Sequence, residues 1–314
     1  MKRKKRWILF VIVAVTIAII IGLLILFQSD KSNETADIEP EQNIEEVIQQ
    51  VQEKDEEVEA KEENNISSGL KNAVENTLGL FVHNNYNIVA IGDSLTQGVG
   101  DTTNSGGYVG VLEKELSDAE HDVVIDNYGK RGNRSDQLLK RLEDENIRSS
   151  LEEADMILLT IGANDIMKVV KDNFMDLQAE PFKQERVSYQ TRLQEIFDTM
   201  LELSPDANIY LIGFYNPFEG YFENIDELDQ IVINWNQTAQ SLTETNEQLH
   251  YIPTRDLFQL EDIDLLADDN FHPNPTGYTL MGERILTHIR PQIEAALAES
   301  ESEGENQEED TSQQ

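Results

Sequence analysis

Five short apolar runs rich in β-branched residues, separated by amphipathic segments, constrain the fold of this chain most. The runs cover residues 87–92, 122–129, 154–162, 207–215 and 248–254. Between them, residues 108–119, 186–203 and 225–249 carry apolar side chains near every third or fourth position. Buried strands that alternate with amphipathic helices indicate βαβ units and a parallel sheet covered on both faces. The sequence therefore predicts an α/β fold with five parallel strands.

The N-terminus carries a different signal. Residues Trp7 to Phe27 form a run of 21 residues without a charge, directly after the basic head MKRKKR. At about 1.5 Å per residue, a helix of this length spans the roughly 30 Å hydrocarbon core of a bilayer. The basic flank predicts a cytoplasmic N-terminus and an extracytoplasmic remainder. A cleaved signal peptide is the alternative, although it requires a shorter apolar run and a small-x-small site, which LLILFQSDKS does not offer.

Charge divides the rest of the chain into three parts. Residues 28–66 contain 14 acidic and 3 basic residues and predict a mostly disordered acidic stalk. Residues 298–314 contain seven acidic residues and no basic one, and they predict an acidic disordered tail. The folded domain is expected between them, over residues 67–297, with the head and membrane anchor at 1–27. A net charge of -37 argues against nucleic acid as a partner, because phosphate binding needs clustered cations.

The composition also limits the kinds of catalytic and binding site that this chain can form. The chain has no cysteine, which excludes disulfides, thiolate metal sites and a cysteine nucleophile. It contains neither G-x-x-x-x-G-K-[ST] nor G-x-G-x-x-G, the strongest nucleotide-binding signals. The acidic run at 261–264 lacks the glycine of an EF-hand calcium loop. We therefore expect no metal and no cofactor, and we expect catalysis by oxygen and nitrogen groups.

Four polar turns follow the predicted strands. They cover residues 92–98, 127–133, 162–165 and 269–274. Ligands of open parallel sheets bind at the carboxyl ends of the strands. The four turns are thus expected to converge on one edge of the sheet and to form the functional site there.

Ser94 lies in the first of these turns and is a candidate nucleophile. A serine hydroxyl needs a base to take its proton. Of the five histidines, only His272 lies in a loop at the expected edge. Asp269, three residues earlier, is positioned to orient the imidazole. The sequence therefore predicts Ser94, His272 and Asp269 as catalytic residues.

A serine that attacks an acyl group also needs hydrogen-bond donors for the oxyanion of the tetrahedral intermediate. Three turns offer such donors. They are a backbone N–H at the start of the helix that carries Ser94, the N–H of a glycine such as Gly132, and the side-chain amide of Asn164.

The four turns resemble, in order, the four signature blocks of the SGNH (GDSL) hydrolase family: GDSLTQG, NYGKRGN, GAND and DNFH. The resemblance covers about residues 87–295. It implies a flavodoxin-like three-layer α/β/α sandwich with a five-stranded parallel sheet. It also implies Ser94 as nucleophile and oxyanion donor, Gly132 and Asn164 as the other donors, His272 as base and Asp269 as its orienting acid. The second block departs from the family pattern, because it reads GNRS where a GDT-like run is common.

These features predict a membrane-tethered serine ester hydrolase that acts on acyl esters, of lipids or acylated glycans, through a covalent acyl-enzyme. A catalytically silent binding or scaffold module with the same fold at the cell surface is the alternative. The sequence leaves the oligomeric state open. Five aromatic residues follow the fourth strand and are candidates for an acyl-binding wall or for the core: Phe214, Tyr215, Phe218, Tyr221 and Phe222.

Overall fold

A computed structural model describes residues 86–119, 122–173, 175–217, 226–259 and 263–312. The predicted basic head, the membrane anchor, the stalk and residues 67–85 lie outside these ranges, as do Phe218, Tyr221 and Phe222. Within the ranges, no helix combines the length and the apolar character that crossing a membrane requires.

Strands and helices alternate along the described chain. The strands are β1 (Tyr86–Gly92), β2 (Val123–Gly129), β3 (Met156–Thr160), β4 (Asn208–Ile212) and β5 (Leu249–Ile252). The helices are α1 (Ser94–Gln97), α2 (Gly107–Asp118), α3 (Ser135–Arg141), α4 (Glu145–Glu152), α5 (Ala163–Asp172), α6 (Ala179–Leu203), α7 (Asp226–Thr243) and α8 (Pro275–Ser312). A 3₁₀ turn at Arg255–Gln259 follows β5. Each strand lies where an apolar run predicts one.

The five strands form one parallel sheet in the order β2-β1-β3-β4-β5. Successive residues of a strand point to opposite faces, and both faces of this sheet are buried. On one face, Val89 and Ile91 pack in a core with residues of α3 to α7. On the other face, Ile88 and Ala90 pack with residues of α1, α2 and α8. The predicted three-layer α/β/α sandwich is therefore confirmed.

The C-terminal helix α8 differs from the sequence prediction. Asn274 caps its first turn, with Oδ1 accepting a hydrogen bond from the Gly277 N–H at 2.9 Å, and Pro275 occupies the first helical position. The helix continues to Ser312, so residues 298–312 are helical where the charge pattern predicts a disordered tail. Six of the seven acidic residues there are glutamates, which have high helix propensity, and no proline interrupts the helix after Pro291, although Gly304 lies within it.

Candidate active site

Ser94 is the first residue of α1, which begins one residue after β1 ends. Asp93 caps this short helix, because its carboxylate accepts a hydrogen bond from the Leu95 N–H at 3.0 Å. Gly98 ends the helix in the left-handed conformation, with φ of 78°. The chain therefore turns sharply at the edge of the sheet, and this turn presents the Ser94 side chain beyond the end of β1.

His272 comes from a loop that is fixed on several sides. The Ala267 N–H donates to the His272 carbonyl at 2.8 Å, and the Tyr215 hydroxyl donates to the Phe271 carbonyl at 2.7 Å. Gly100 lies directly against this loop. A Cβ at Gly100 would lie 2.5 Å from the Pro273 carbonyl oxygen and 2.9 Å from the His272 Cβ. The φ of Gly100 is +94°, which also favours glycine. Only glycine allows the segment that follows Ser94 and the histidine loop to approach so closely.

The structure brings the three predicted catalytic side chains into one hydrogen-bonded chain. The His272 Nε2 lies 2.9 Å from the Ser94 Oγ, although the two residues are 178 positions apart. The His272 Nδ1 lies 2.7 Å from the Asp269 Oδ2. All three residues are buried. This is the order of groups in which an imidazole can take the proton of a serine hydroxyl while a carboxylate orients it.

The charge state of Asp269 determines which imidazole nitrogen carries the proton. Burial alone would raise the pKa of Asp269, but hydrogen bonding and charge interaction with His272 and the N–H groups of His272 and Phe271 lower this pKa far below its usual range. Asp269 is therefore an ionised acceptor, and the His272 Nδ1 must donate. The Nε2 of a neutral imidazole is then left as an acceptor for the Ser94 hydroxyl.

Asn164 lies at the start of α5 and borders the same cavity as Ser94. Its Nδ2 donates to the Asn133 carbonyl at 3.2 Å. Because an amide nitrogen carries two hydrogens, this contact orients the group and leaves a second N–H. The Ser94 N–H lies in the first turn of α1, where no acceptor exists within the helix.

Gly132 lies in the loop after β2, with φ of +72°. It borders a neighbouring depression, and it does not line the cavity in front of Ser94. Its role as an oxyanion donor therefore stays a prediction.

The cavity in front of Ser94 is small, with a volume of about 20 Å³. Phe214, Tyr215, Pro217 and Phe271 line its apolar side. Phe214 and Tyr215, candidates for an acyl-binding wall or for the core, line this cavity, and their role in acyl binding stays a prediction. Both are buried in the core, and Tyr215 also stacks on Phe258 with ring centroids 3.8 Å apart.

Sequence reasoning missed a buried polar network behind the nucleophile. The Thr160 hydroxyl donates to the Asp93 carboxylate at 2.9 Å and lies 2.7 Å from the Thr96 hydroxyl, which in turn contacts the Tyr108 hydroxyl at 2.8 Å. Burial raises the pKa of Asp93 to about 7, although hydrogen bonds from the Leu95 N–H and Thr160 oppose this shift. The sequence shows Asp93 as a capping residue but gives no sign of these partners.

A second missed network holds α5, α3 and α6 together beside Asn164. The buried Asp165 carboxylate accepts hydrogen bonds from the Ser135 N–H at 3.0 Å, from the Ser135 hydroxyl at 2.6 Å and from Arg192 at 3.0 Å. The Arg192 Nε also donates to the Ser135 hydroxyl at 2.7 Å. This network fixes the residue next to Asn164. Arg192 lies within the long helix α6, where nothing in the sequence distinguishes it from a surface arginine.

Comparison with known proteins identifies the family. The model of the GDSL-like lipase/acylhydrolase family matches residues 90–280, which include Ser94, Asn164, Asp269 and His272. The chain belongs to this family. This GDSL-like hydrolase is accordingly a carboxylic ester hydrolase by enzyme class.

Relatives and solved structures agree with that assignment. The GDSL-like hydrolase is 37% identical to the uncharacterized protein YpmR of Bacillus subtilis, over 65% of its own length and 81% of the relative. It is 27% identical to the spore germination lipase LipC of Bacillus licheniformis, over 62% and 92% of the two chains. The lipase Lip_vut3 from a goat rumen metagenome has a similar fold, with a TM-score of 0.58 and 24% identity over 64% and 96% of the chains. So does an acetyl-xylooligosaccharide esterase of Geobacillus, with a TM-score of 0.52 and 21% identity over 65% and 94%.

Proposed function

We propose that this chain is a membrane-tethered serine ester hydrolase in which Ser94 is the nucleophile, His272 the general base and Asp269 the residue that orients the imidazole. The observation that carries the proposal is the continuous hydrogen-bonded chain from the Asp269 carboxylate through His272 to the Ser94 hydroxyl. A serine that only capped a helix would need neither a buried imidazole nor a carboxylate behind it.

The reaction follows from this geometry. The His272 Nε2 takes the Ser94 proton as Oγ attacks the carbonyl carbon of the ester, and the carbonyl electrons move to the oxygen. The Asn164 amide and the Ser94 N–H stabilise the oxyanion, with Gly132 as a further predicted donor. The ester C–O bond then breaks, and His272 returns the proton to the departing alcohol. A water molecule, deprotonated by the same imidazole, attacks the acyl-enzyme and releases the carboxylic acid and free Ser94.

The acyl group that fits is short. By the measure in which one water needs about 10–15 Å³, the cavity of about 20 Å³ in front of Ser94 admits little more than a methyl or ethyl group. Two of its walls, Phe214 and Phe271, are themselves buried, so widening the cavity would disturb the core. The small volume of the cavity thus supports acetyl or similarly short acyl esters as substrates.

The proposed tether rests on the sequence. The uncharged run from Trp7 to Phe27 after the basic head supports a single-pass anchor with a cytoplasmic N-terminus and the catalytic domain on the other side. Fractionation of cells that express the full chain tests this. We expect full-length protein in the membrane fraction after a high-salt wash. A shortened product in the soluble fraction would instead support a cleaved signal peptide.

Hydrolysis of p-nitrophenyl esters by the purified full-length protein tests the catalytic proposal. We expect turnover that is greatest for acyl chains of about two to four carbons and that falls on the order of 10⁶-fold in Ser94→Ala, as in comparable serine hydrolases. The matched control is Ser241→Ala, because Ser241 is an exposed serine of α7. A maximum at long chains would reject the short acyl group and favour a lipase, the activity in the name of the relative LipC.

A fluorophosphonate probe separates the enzyme from a silent scaffold with the same fold. We expect covalent labelling of Ser94 in the folded wild-type protein and none in Ser94→Ala. Folded protein that neither labels nor hydrolyses any ester of the series would favour the scaffold.

A further inference from the structure

A second depression lies beside the catalytic cavity and is strongly basic. It has a volume of about 670 Å³ and lies at the loop after β2 and along α3. Its cationic lining residues are Lys130, Arg131, Arg134, Lys140 and Arg141. Only Glu143 and Asp144 bring carboxylates to it. A chain with a net charge of -37 thus concentrates five positive charges within twelve residues. Field lines converge in such a concave site and raise the local concentration of anions.

The contacts of four of these five side chains divide them into two kinds. Arg141 is held in the wall, where it donates to the Asn133 side-chain oxygen at 2.6 Å and to the Tyr128 carbonyl at 2.8 Å. Arg134 is held by a two-pronged ion pair with Asp136, with both distances 3.0 Å. In contrast, the ammonium groups of Lys130 and Lys140 form neither a hydrogen bond nor an ion pair with any residue that the structure describes. These two lysines are therefore the ones available to a ligand.

The carboxylates in the depression do not neutralise these lysines by contact. The Asp144 side chain caps α4, where its Oδ1 accepts the N–H groups of Asn146 and Ile147 at 2.9 and 3.4 Å. Glu143 is exposed, and no ion pair to it is formed among the described residues. No carboxylate of the described residues thus contacts either ammonium group, and the depression is large enough for a small anionic group.

One hydrogen bond separates the basic depression from the catalytic cavity. Asn133 borders the depression, and its carbonyl oxygen accepts the amide of Asn164, which borders the cavity in front of Ser94. The two sites are therefore neighbours, which is the basis for inferring a substrate with its ester carbonyl at Ser94 and a charged group among the lysines.

We propose that the basic depression, which we call the Lys130–Lys140 site, binds a phosphate group on the alcohol part of the ester. The enzyme then selects phosphate-bearing acyl esters over neutral ones. This inference rests on the proposed function, because it concerns the alcohol part of the ester, which leaves when the acyl-enzyme forms. Phosphate suits the site because its oxygens accept several charge-assisted hydrogen bonds at once from lysine and arginine.

The first experiment measures direct binding and does not depend on catalysis. Inorganic phosphate is titrated into the full-length Ser94→Ala protein by calorimetry. We expect saturable binding that weakens as the salt concentration rises, because salt screens exposed charges, and that is lost in Ser94→Ala with Lys130→Gln and Lys140→Gln. Lys130→Arg with Lys140→Arg keeps the charge and should retain binding. Binding that is absent, or unchanged by the glutamine substitutions, would overturn the proposal.

The second experiment measures selectivity. One arm compares kcat/KM for 1-butanoyl-glycerol 3-phosphate with that for 1-butanoyl-glycerol. The other compares detergent micelles that contain 1-hexadecyl-2-butanoyl-glycerol 3-phosphate with micelles that contain 1-hexadecyl-2-butanoyl-glycerol, so that the scissile acyl group stays short while an ether-linked chain holds the substrate in the micelle. We expect a preference for the phosphate-bearing ester in at least one arm, and a fall of about tenfold in that ratio when both lysines become glutamine. A preference in the first arm indicates a soluble phosphorylated alcohol, and a preference confined to the second indicates a lipid headgroup.

Matched controls distinguish phosphate binding by these lysines from a general effect of charge and from a structural role of Lys140. Lys114→Gln with Lys183→Gln removes two exposed lysines elsewhere in the fold and should leave the ratio unchanged. Lys140 also lies in the last turn of α3, where a cation stabilises the helix. A lower melting temperature with an unchanged ratio would assign the lysines to that structural role and reject the proposal. If the wild type hydrolyses no ester, the proposed function is rejected. If it hydrolyses esters without preferring those that bear a phosphate, only this inference is rejected.

Discussion

Two histidines at opposite ends of the sheet differ in the groups that surround them, and only one of them, His272, is proposed as a catalytic base. His272 follows β5 at the carboxyl edge, where it lies between the Asp269 carboxylate and the Ser94 hydroxyl. His250 lies near the start of β5, where its Nε2 contacts the neutral side-chain oxygen of Asn208 at 2.8 Å and its ring stacks on Tyr210. Burial lowers the pKa of His250, and no carboxylate opposes that effect. The groups that contact each imidazole therefore distinguish the two histidines, although the residue type is the same.

The largest expected difference in kcat is the one between the variants that lack one or the other of these two imidazoles. His272→Ala should lower kcat for a p-nitrophenyl ester on the order of 10⁶-fold, because the Ser94 proton then has no acceptor. His250→Ala should leave kcat within about twofold, since the stacking and the hydrogen bond that it removes lie on the far edge of the sheet. Steady-state kinetics on both variants checks this. Comparable losses in the two would remove the distinction between the two edges.

Replacing the carboxylate tests the partner directly. Asp269→Asn gives His272 a neutral amide as its neighbour, which is the environment that Asn208 gives His250. We expect kcat to fall on the order of 10⁴-fold, because the amide no longer selects the required tautomer or stabilises the imidazolium. Asp256→Asn is the control, because it removes a carboxylate that pairs with Arg284 at the surface. If Asp269→Asn stays within tenfold of the wild type, the orienting role assigned to Asp269 is wrong.

Two asparagines at opposite ends of α5 allow a similar comparison for the predicted oxyanion donor. Asn164 lies at the end of this helix that borders the catalytic cavity, and Asn173 caps the other end by donating to the Val169 carbonyl at 2.8 Å. Asn164→Ala should reduce kcat by about 10²–10³-fold with little change in KM, because the lost contact forms only in the transition state. Asn173→Ala should change stability alone. A change confined to KM in Asn164→Ala would point to substrate binding instead.

The smallest expected effect concerns stability at the catalytic edge. The pKa of Asp93 is raised to about 7 by burial, against an ordinary value of 3.8. Between these pH values the folded state holds a proton that the unfolded state has released, so this group's contribution to the free energy of unfolding declines as pH rises from about 4 to about 7. Asp93→Asn should remove that decline, with a difference in slope of at most about 1.4 kcal/mol per pH unit.

Denaturant unfolding at a series of pH values measures this slope. Asp206→Asn, at an exposed position, should retain the slope of the wild type. Parallel slopes in Asp93→Asn and the wild type would show that Asp93 is already ionised in the folded protein.

The parts of the molecule that the sequence predicts well are those set by local patterns. The strands follow from apolar runs, and Ser94, His272 and Asp269 follow from chemistry that only one histidine in the right turn can supply. The buried network of Asp165, Ser135 and Arg192 could not be predicted, because its members meet only when three helices pack. Residues 298–312 illustrate the opposite failure, since their charge suggested disorder while their helix propensity prevailed.

The basic depression was within reach of the sequence and was still overlooked. Five cations between Lys130 and Arg141 form a dense cluster, but the charge of the whole chain concealed it. A chain-wide average describes solubility and long-range repulsion. It does not describe a concave site, where the nearest few charges dominate because screening limits the reach of the others.

The close approach of Gly100 to the His272 loop has a consequence for biosynthesis. Ser94 is translated long before His272, and the two can meet only when the loop that precedes α8 packs against Gly100. Under the proposed mechanism, a nascent or C-terminally shortened chain that ends before residue 272 carries a serine without its base. Such a chain is expected not to attack esters of the cell that makes it, because hydrolysis requires synthesis past residue 272.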